Sequence, residues 1–530
     1  MAFVSVAFLV FVAVVALAYF LCPISHRWKV LLVASYSYFW INSKWLLLFM
    51  FAATVVSYYI ANKIQQINEN SKQYIRTHPE MTAPQKKAWK DQTKKKTKQI
   101  LKVGIFFDFG ILIVLKYFNF FADISSQVLD CFGIVIPQVK WLLPIGISFY
   151  TLQAVSYMTD VYRGKCDADQ SLGRFMLFMS FFPQIVQGPI PRYSQLAHQL
   201  YEGHSFDYKR FTFGIQLILW GFMKKLIIAE RVAVPTNMIF DQYQDYNGVT
   251  ILLGAIFYGL QVYTDFSGGM DIAQGVSQIF GIELTLNFRQ PYFSKSIEEF
   301  WRRWHITLGA WMREYVFYPL SLSKSFGKLS KRARRLFGQF FGKRLPAFLA
   351  MFIVYFLVGF WHGPNWKYVA YGVWNGIFIV CGILLEEVYE KTRNRLSIAE
   401  VSLSWRIFQI GRTFLLVSVG RFFSRAETLT DALEMFKRMF ERWYDISPLI
   451  NGSLTKLGLD HANWVVLMVA IAVLFSVDYL HERGVKIREG IAHQNIFFRW
   501  IIYYAAILLV VIFGMYGPGY DSSKFIYAQF

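Results

Sequence analysis

Two histidines bracket one apolar run in this chain. His305 stands in WRRWHITLGAWMREY (301–315) and His362 in GFWHGPNW (359–366). Imidazole titrates near neutral pH, so such residues can take a proton from a hydroxyl and return it to a leaving group. Projected as one helix at about 100° per residue, residues 301–315 put Trp301, Trp304, Leu308, Trp311, Met312 and Tyr315 on one face. Arg302, Arg303, Ala310, Arg313 and Glu314 fall on the other. His305 lies at the edge of the aromatic stripe and faces protein or a cavity. A satisfied buried histidine fits that position as well as a functional one. The run 345–361 has 17 residues and no charge. As a helix it rises roughly 25 Å against a hydrocarbon core of about 30 Å. The turn His362-Gly363-Pro364-Asn365 should therefore stop short of the far surface. An ionisable residue at a broken helix end within a membrane points to function. The alternative is a histidine that only bonds a carbonyl at the helix end.

Other polar residues fall where hydrocarbon is expected. Asp265, Ser267 and Asp271 occur in YTDFSGGMDIA, just past an apolar run. Either carboxylate orients a histidine, pairs with an arginine or caps a helix N-terminus. Asp108, in GIFFDFGIL, reads as a structural hydrogen-bonding carboxylate. The nine histidines show no HxxxH and no accompanying carboxylate cluster, so no metal site is expected. Cys22, Cys131, Cys166 and Cys381 form no CxxC and suggest neither a disulfide framework nor zinc. Walker and GxSxG motifs are missing. What remains is imidazole as general base on a hydroxyl, which fits acyl transfer from a thioester to an alcohol.

The elements that must hold these groups are membrane helices. Hydrophobic residues make up 55% of the 530, in long runs rather than scattered, which predicts an all-α polytopic membrane protein in a lipid bilayer. Apolar runs fall near 2–21, 29–42, 44–61, 102–121, 141–158, 211–229, 250–264, 346–361, 367–385, 405–420, 463–480 and 498–516, about twelve spans. The first reads as a retained helix, since it lacks the basic leader and cleavage site of a signal peptide. Residues 173–190, interrupted by Pro183, Gly188 and Pro189, read as re-entrant, which is permitted only where protein buries the backbone. The whole chain, 1–530, reads as a single membrane domain. Its formal charge of +21 would suggest nucleic acid in a soluble protein; here it reads as basic cytoplasmic loops, with no nucleic-acid partner. The stretches 62–102 and 321–345 are then cytoplasmic, and counting spans puts both termini outside. Lys224 and Lys225 fit this count poorly. Residues 421–462 fall outside, and Leu429, Leu433, Phe436 and Phe440 predict an amphipathic surface helix there.

Five motifs together resemble the membrane-bound O-acyltransferases. They are PIGISFYTLQAVSYMTDVYRG (144–164), FFPQIVQGPIPR (181–192), YTDFSGGMDIA (263–273), NFRQPYFSKSIEEFWRRWHITLGAWMREY (287–315) and GFWHGPNWKYVAYGVWNG (359–376). Within the family the likeness is to the bacterial alginate O-acetyltransferase-like branch, with the D-alanyl transferase of teichoic acid a shorter cousin. The resemblance implies a ring of helices around a central tunnel, with a catalytic core over 141–390. It implies that His362 is the catalytic residue and His305 the second family histidine. Asp265, Asp271, Asn287, Trp304, Arg302, Arg303 and Asn365 are supporting candidates in the same motifs. It further implies acetyl-CoA as acyl donor, with access near 321–345, and no bound cofactor. Implied partners are an extracytoplasmic SGNH-like acetyltransferase and, indirectly, a polysaccharide, at the bacterial plasma membrane.

The tail 517–530 carries FIYAQF and resembles a C-terminal FxYxxF motif in which the tyrosine carries the acyl group, here Tyr527. A frayed aromatic tail is the plainer reading. A phenol, with pKa near 10 against about 6.5 for imidazole, leaves a gap of about 5 kcal/mol, which coupled proton transfer can bridge. Two other functions stay open. One keeps the family and changes the donor to D-alanine on a carrier protein. The other is a non-catalytic transporter or scaffold, against which the histidine pair and the lack of internal repeats both argue.

Overall fold

Apolar residues in this chain recur without Gly–Pro punctuation over one to two dozen positions, and polar caps mark where the runs begin. Those two features make helices. The computed structural model describes residues 1–133, 136–139 and 142–516, with the side chains at 340, 341 and 343 outside that description. The tail with Tyr527 also lies outside the described residues. Each of the twelve apolar runs falls wholly or partly on a helix. Among the described residues, seven helical segments are long and apolar enough to cross a membrane: Ile24–Thr77, Tyr208–Asp241, Gly248–Ile279, Arg344–His362, Trp366–Leu384, His461–Glu482 and Ile496–Phe513. The protein is a multi-pass, all-α membrane protein. The chain divides into two compact units, residues 1–215 with 273–285, and residues 216–272 with 286–530.

In the first unit, α1 (Val6–Leu21), α2 (Arg27–Ser43), α3 (Leu47–Thr77) and α4 (Ala83–Leu112) accompany α5 (Ile147–Tyr162), whose residues Ile147–Val161 are all buried. A helix so enclosed meets protein rather than lipid. The stretch 62–102, expected as a loop, is helical except at 78–82. Lysine and glutamine are good helix formers, and Thr82 with Gln85 forms a capping box that starts α4. Tyr74 stacks on Trp89 at 4.3 Å to close this hairpin. The proline-broken segment is buried after α6 (Leu172–Ser180), and two of its polar groups bond to distant residues. Phe182 N donates to Ser35 Oγ at 3.1 Å, and Gln184 Nε2 donates to Gln153 Oε1 at 3.2 Å. Asp108 is structural as expected, accepting from Ser57 Oγ at 3.1 Å.

In the second unit, α7 (Tyr208–Phe222) widens into π-helical turns over Met223–Ala229 before α8 (Glu230–Asp241). The turns point Lys224 and Lys225 at α9 (Gly248–Ile279). Lys224 pairs with Asp271 at 2.7 Å. Lys225 pairs with Asp265 and with Glu230 at 2.7 Å. These carboxylates therefore pair with lysines and do not cap a helix N-terminus. They lie inside α9 and neutralise two lysines, which also explains why those lysines fitted no cytoplasmic loop.

The segment 301–315 is not one helix. It is α10 (Ile297–Arg303), a break at Trp304 and His305, and α11 (Ile306–Met312). The basic stretch 321–345 is not a loop either: α12 (Lys324–His362) runs through it, interrupted by non-helical backbone at Gly338. There follow α13 (Trp366–Leu384), α14 (Leu403–Arg425), α15 (Leu429–Arg438), α16 (His461–Glu482) and α17 (Ile496–Phe513). The helix expected within 421–462 exists as α15, but its buried residues are Ala432 and Met435, while Leu433 and Phe440 are exposed. Phe436 meets Trp374 of α13, so packing against protein chose a face one position off the expected stripe.

Two predictions follow from these contacts. Asp265→Ala leaves the buried Lys225 with Glu230 but without its second carboxylate and should cost about 3 kcal/mol, whereas the double change Asp265→Leu with Lys225→Met should recover most of it; thermal unfolding in detergent measures both. Outside the membrane segments, Asp431 accepts from the Thr428 hydroxyl and backbone N–H, and the hydroxyl bond leads in holding its carboxyl below the usual value of 3.8. A depressed carboxylate contributes stability above its unfolded pKa and loses it as pH falls through the folded one. Asp431→Ala should therefore cost about 1 kcal/mol at neutral pH, and the difference should fade below about pH 4.

Candidate functional site

All the candidate residues within the described chain belong to the second unit. The break at His305 begins with a short strand-like crossing. Phe288 and Trp304 form an antiparallel bridge, flanked by Arg289 N to Arg303 O at 2.9 Å and Ile306 N to Asn287 O at 3.0 Å. His305 takes the left-handed conformation, φ 45° and ψ 53°, which is uncommon for a non-glycine residue and costs about 1–3 kcal/mol. Asn287 holds it there. Its Oδ1 accepts from Thr307 N at 3.0 Å and from Thr307 Oγ1 at 2.9 Å, and lies 3.2 Å from His305 Nδ1. An amide oxygen in that position can only accept, so Nδ1 is the protonated, donating nitrogen of His305. Phe266 and Trp361 close on the imidazole at centroid distances of 5.0 and 5.7 Å, and His305 is 1% exposed.

His362 ends α12. Its position depends on a close crossing of α12 and α13, where a Cβ on Gly359 would lie 3.0 Å from the Cα of Gly372, and the reverse. Larger residues there would push the two helices apart. Asn365 then caps α13, its side chain accepting from Lys367 N at 3.0 Å. The imidazole is buried while Pro364, Asn365 and Trp366 are exposed. Trp361 bridges the two histidines, with its ring 5.2 Å from His362. On its other side His362 meets Tyr371 at 5.8 Å. It lines a narrow cleft with Tyr258, Val262, Tyr368, Tyr371, Arg421 and Ser424. A proton acceptor in such a cleft can serve a hydroxyl brought into it.

The other sequence candidates divide. Asn287 and Trp304 join the two histidines through the contacts above and those of Arg421, whose guanidinium carbon lies 4.7 Å over the Trp304 ring. Arg302 is turned outward, paired with Glu298 at 3.2 Å. Arg303 is engaged by Glu299 at 2.7 Å and Glu482 at 2.6 Å. Asp265 and Asp271 serve the lysine pairs, and Asn365 is a cap. Sequence reasoning missed Arg421, Tyr258 and Tyr371. The signal for Arg421 was present: one arginine directly after the apolar run 405–420. Ending the span at 420 assigned it to an outer segment, whereas α14 continues through it to Arg425. Among the described residues no group of three or more His, Cys, Asp or Glu gathers as metal ligands would.

Comparison with known proteins places the chain among relatives of known class. The model of the membrane-bound O-acyltransferase family matches residues 3–419. A probable alginate O-acetylase AlgI of Pseudomonas syringae pv. tomato is 32% identical over 470 residues, 88% of this chain and 80% of that protein. A peptidoglycan O-acetyltransferase of Helicobacter pylori is 27% identical over 439 residues, 78% of this chain and 73% of that protein. A teichoic acid D-alanyltransferase of Streptococcus thermophilus is 30% identical over 244 residues, 44% of this chain and 56% of that protein. By the match of the family model over most of its length, this chain is an enzyme that belongs to the membrane-bound O-acyltransferase family.

Proposed function

We propose that this enzyme moves an acetyl group from a cytosolic thioester, acetyl-CoA, across the bacterial plasma membrane for O-acetylation of a cell-surface or secreted polysaccharide. The observation that carries the reading is the placement of His362: it lines a cleft, while His305 is packed inside the fold against Asn287. His362 is the general base. It takes the proton of an acceptor hydroxyl as that oxygen attacks the thioester carbonyl, and returns the proton to the departing sulfur. His305 is a supporting residue, set by Asn287 and transmitting its position to His362 through Trp361. The acceptor is Tyr527 of the tail 517–530, and an outer SGNH-like transferase collects the acetyl group and places it on the polymer. Both termini are extracytoplasmic, and the basic stretches 62–102 and 321–345 face the cytosol, in keeping with the bias of Lys and Arg. The names of the alginate and peptidoglycan relatives support acetyl as the group transferred.

A D-alanyl donor on a carrier protein is the second reading, favoured by the likeness to the D-alanyltransferase over 44% of this chain. The donors separate in one experiment. Vesicles bearing the enzyme and its outer partner, given radiolabelled acetyl-CoA or a D-alanyl carrier protein, should incorporate label only from acetyl-CoA.

Two substitutions test the assignments in cells at matched protein levels. His362→Ala should lower polysaccharide acetylation by at least about 100-fold; retained acetylation would remove the base. Tyr527→Phe should abolish both transfer to the polymer and the thioester turnover coupled to it. Unimpaired transfer would take the tail out of the mechanism.

A further inference from the structure

We propose that Arg421 supplies the positive charge that stabilises the tetrahedral oxyanion of acyl transfer beside His362. The inference rests on the acyl-transfer reading above and adds a residue to the same site. Arg421 is 3% exposed, and its guanidinium carbon lies 4.7 Å from the Trp304 ring centroid and 5.6 Å from that of Tyr371. It lines the cleft that His362 lines, and Tyr371 touches both, at 5.8 Å from the imidazole. The prospective base and a cation therefore flank one ring.

Burying a guanidinium in a membrane protein is unfavourable, and two aromatic faces together with a hydrogen bond to Tyr292 offset part of that cost. The same dry surroundings strengthen its attraction for any anion formed beside it. His305 cannot serve as well. It is not among the cleft-lining residues, and its Nδ1 side is engaged by Asn287. Arg421 lies in α14, whose packing against α13 brings the guanidinium to Tyr371.

The step balances without a co-reactant. The acceptor oxygen bonds to the thioester carbonyl carbon as its proton passes to His362. The carbonyl π pair moves onto oxygen, where guanidinium N–H groups donate to it. On collapse the C=O reforms, the C–S bond breaks, and the thiolate takes the proton from the imidazolium.

Purified full-length enzyme in vesicles with its outer partner and the polysaccharide acceptor, followed by release of CoA thiol from acetyl-CoA, tests the role. Arg421→Met keeps the length of the side chain and removes the charge. It should lower kcat by about 100- to 1000-fold with KM for acetyl-CoA within about threefold, and Arg421→Lys should restore at least tenfold of that loss. A kcat for Arg421→Met within about threefold of the wild type would overturn the proposal. So would Arg421→Lys no better than Arg421→Met when both melt like the wild type, since the role would then be packing between two rings. If Arg421→Met does not fold, Arg421→Gln replaces it: a loss in kcat alone supports the role, and unchanged kcat or a rise in KM without one sinks it. His362→Ala run in parallel separates the readings. Wild-type turnover in that variant removes the base while leaving the Arg421 comparison intact. If the wild type turns over only a D-alanyl carrier thioester, the same variants are compared on that donor.

Discussion

One carboxamide oxygen holds the centre of the second unit. Asn287 Oδ1 faces three donors, two from Thr307 and one from the His305 ring. Without them the backbone between α10 and α11 would close into the continuous helix that its residues favour. With them the chain is held in a left-handed turn, and the imidazole is swung off the helix face into an aromatic enclosure. Trp304 and Trp361 depend on that turn for their positions. Trp304 is the platform for Arg421, and Trp361 is the contact from His305 to His362. The strain at one residue is thus offset by hydrogen bonds that also orient its neighbours, as expected of a functional site.

Around this centre, charge is managed by pairing. Lys224 and Lys225 would be intolerable on a lipid-facing helix. The π-helical turns at Met223–Ala229 rotate both toward Asp271 and Asp265 on α9. Gly221 permits the approach, since a Cβ there would lie 2.5 Å from the Gly268 carbonyl oxygen. Tyr263, on the same helix, donates to Asp478 at 2.8 Å. Arg421 is treated differently: it sits against the rings of Trp304 and Tyr371, hydrogen-bonded to Tyr292, and lines the narrow cleft beside His362.

Much of this was legible in the chain. Long apolar runs specify helices and a membrane, because hydrocarbon leaves a backbone few other ways to satisfy its hydrogen bonds. His362 could be singled out because a 17-residue run followed by HGPN is too short to carry it to the far surface. Other features depended on contacts distant in sequence. The face assignment for 301–315 identified buried tryptophans and outward Arg302, yet the helix behind it was wrong, since residues 287–289 pair with 303–306 and break it. The basic stretches were expected as loops from their charge alone. They are helices, because lysine and arginine carry good helix propensity and a solvent-facing helix suits them.

The sequence by itself determined the class of protein and the family, and it singled out two histidines as candidates, because hydropathy, charge bias and contiguous motifs are local properties. Tertiary structure decided which residues answer which. It gave Asp265 and Asp271 to lysines forty or more positions away, turned Arg303 toward Glu482, and brought Arg421 to His362. The reason is physical. A buried charge is tolerated only beside its partner, and neither composition nor periodicity records which distant residue the packing of helices will bring to it.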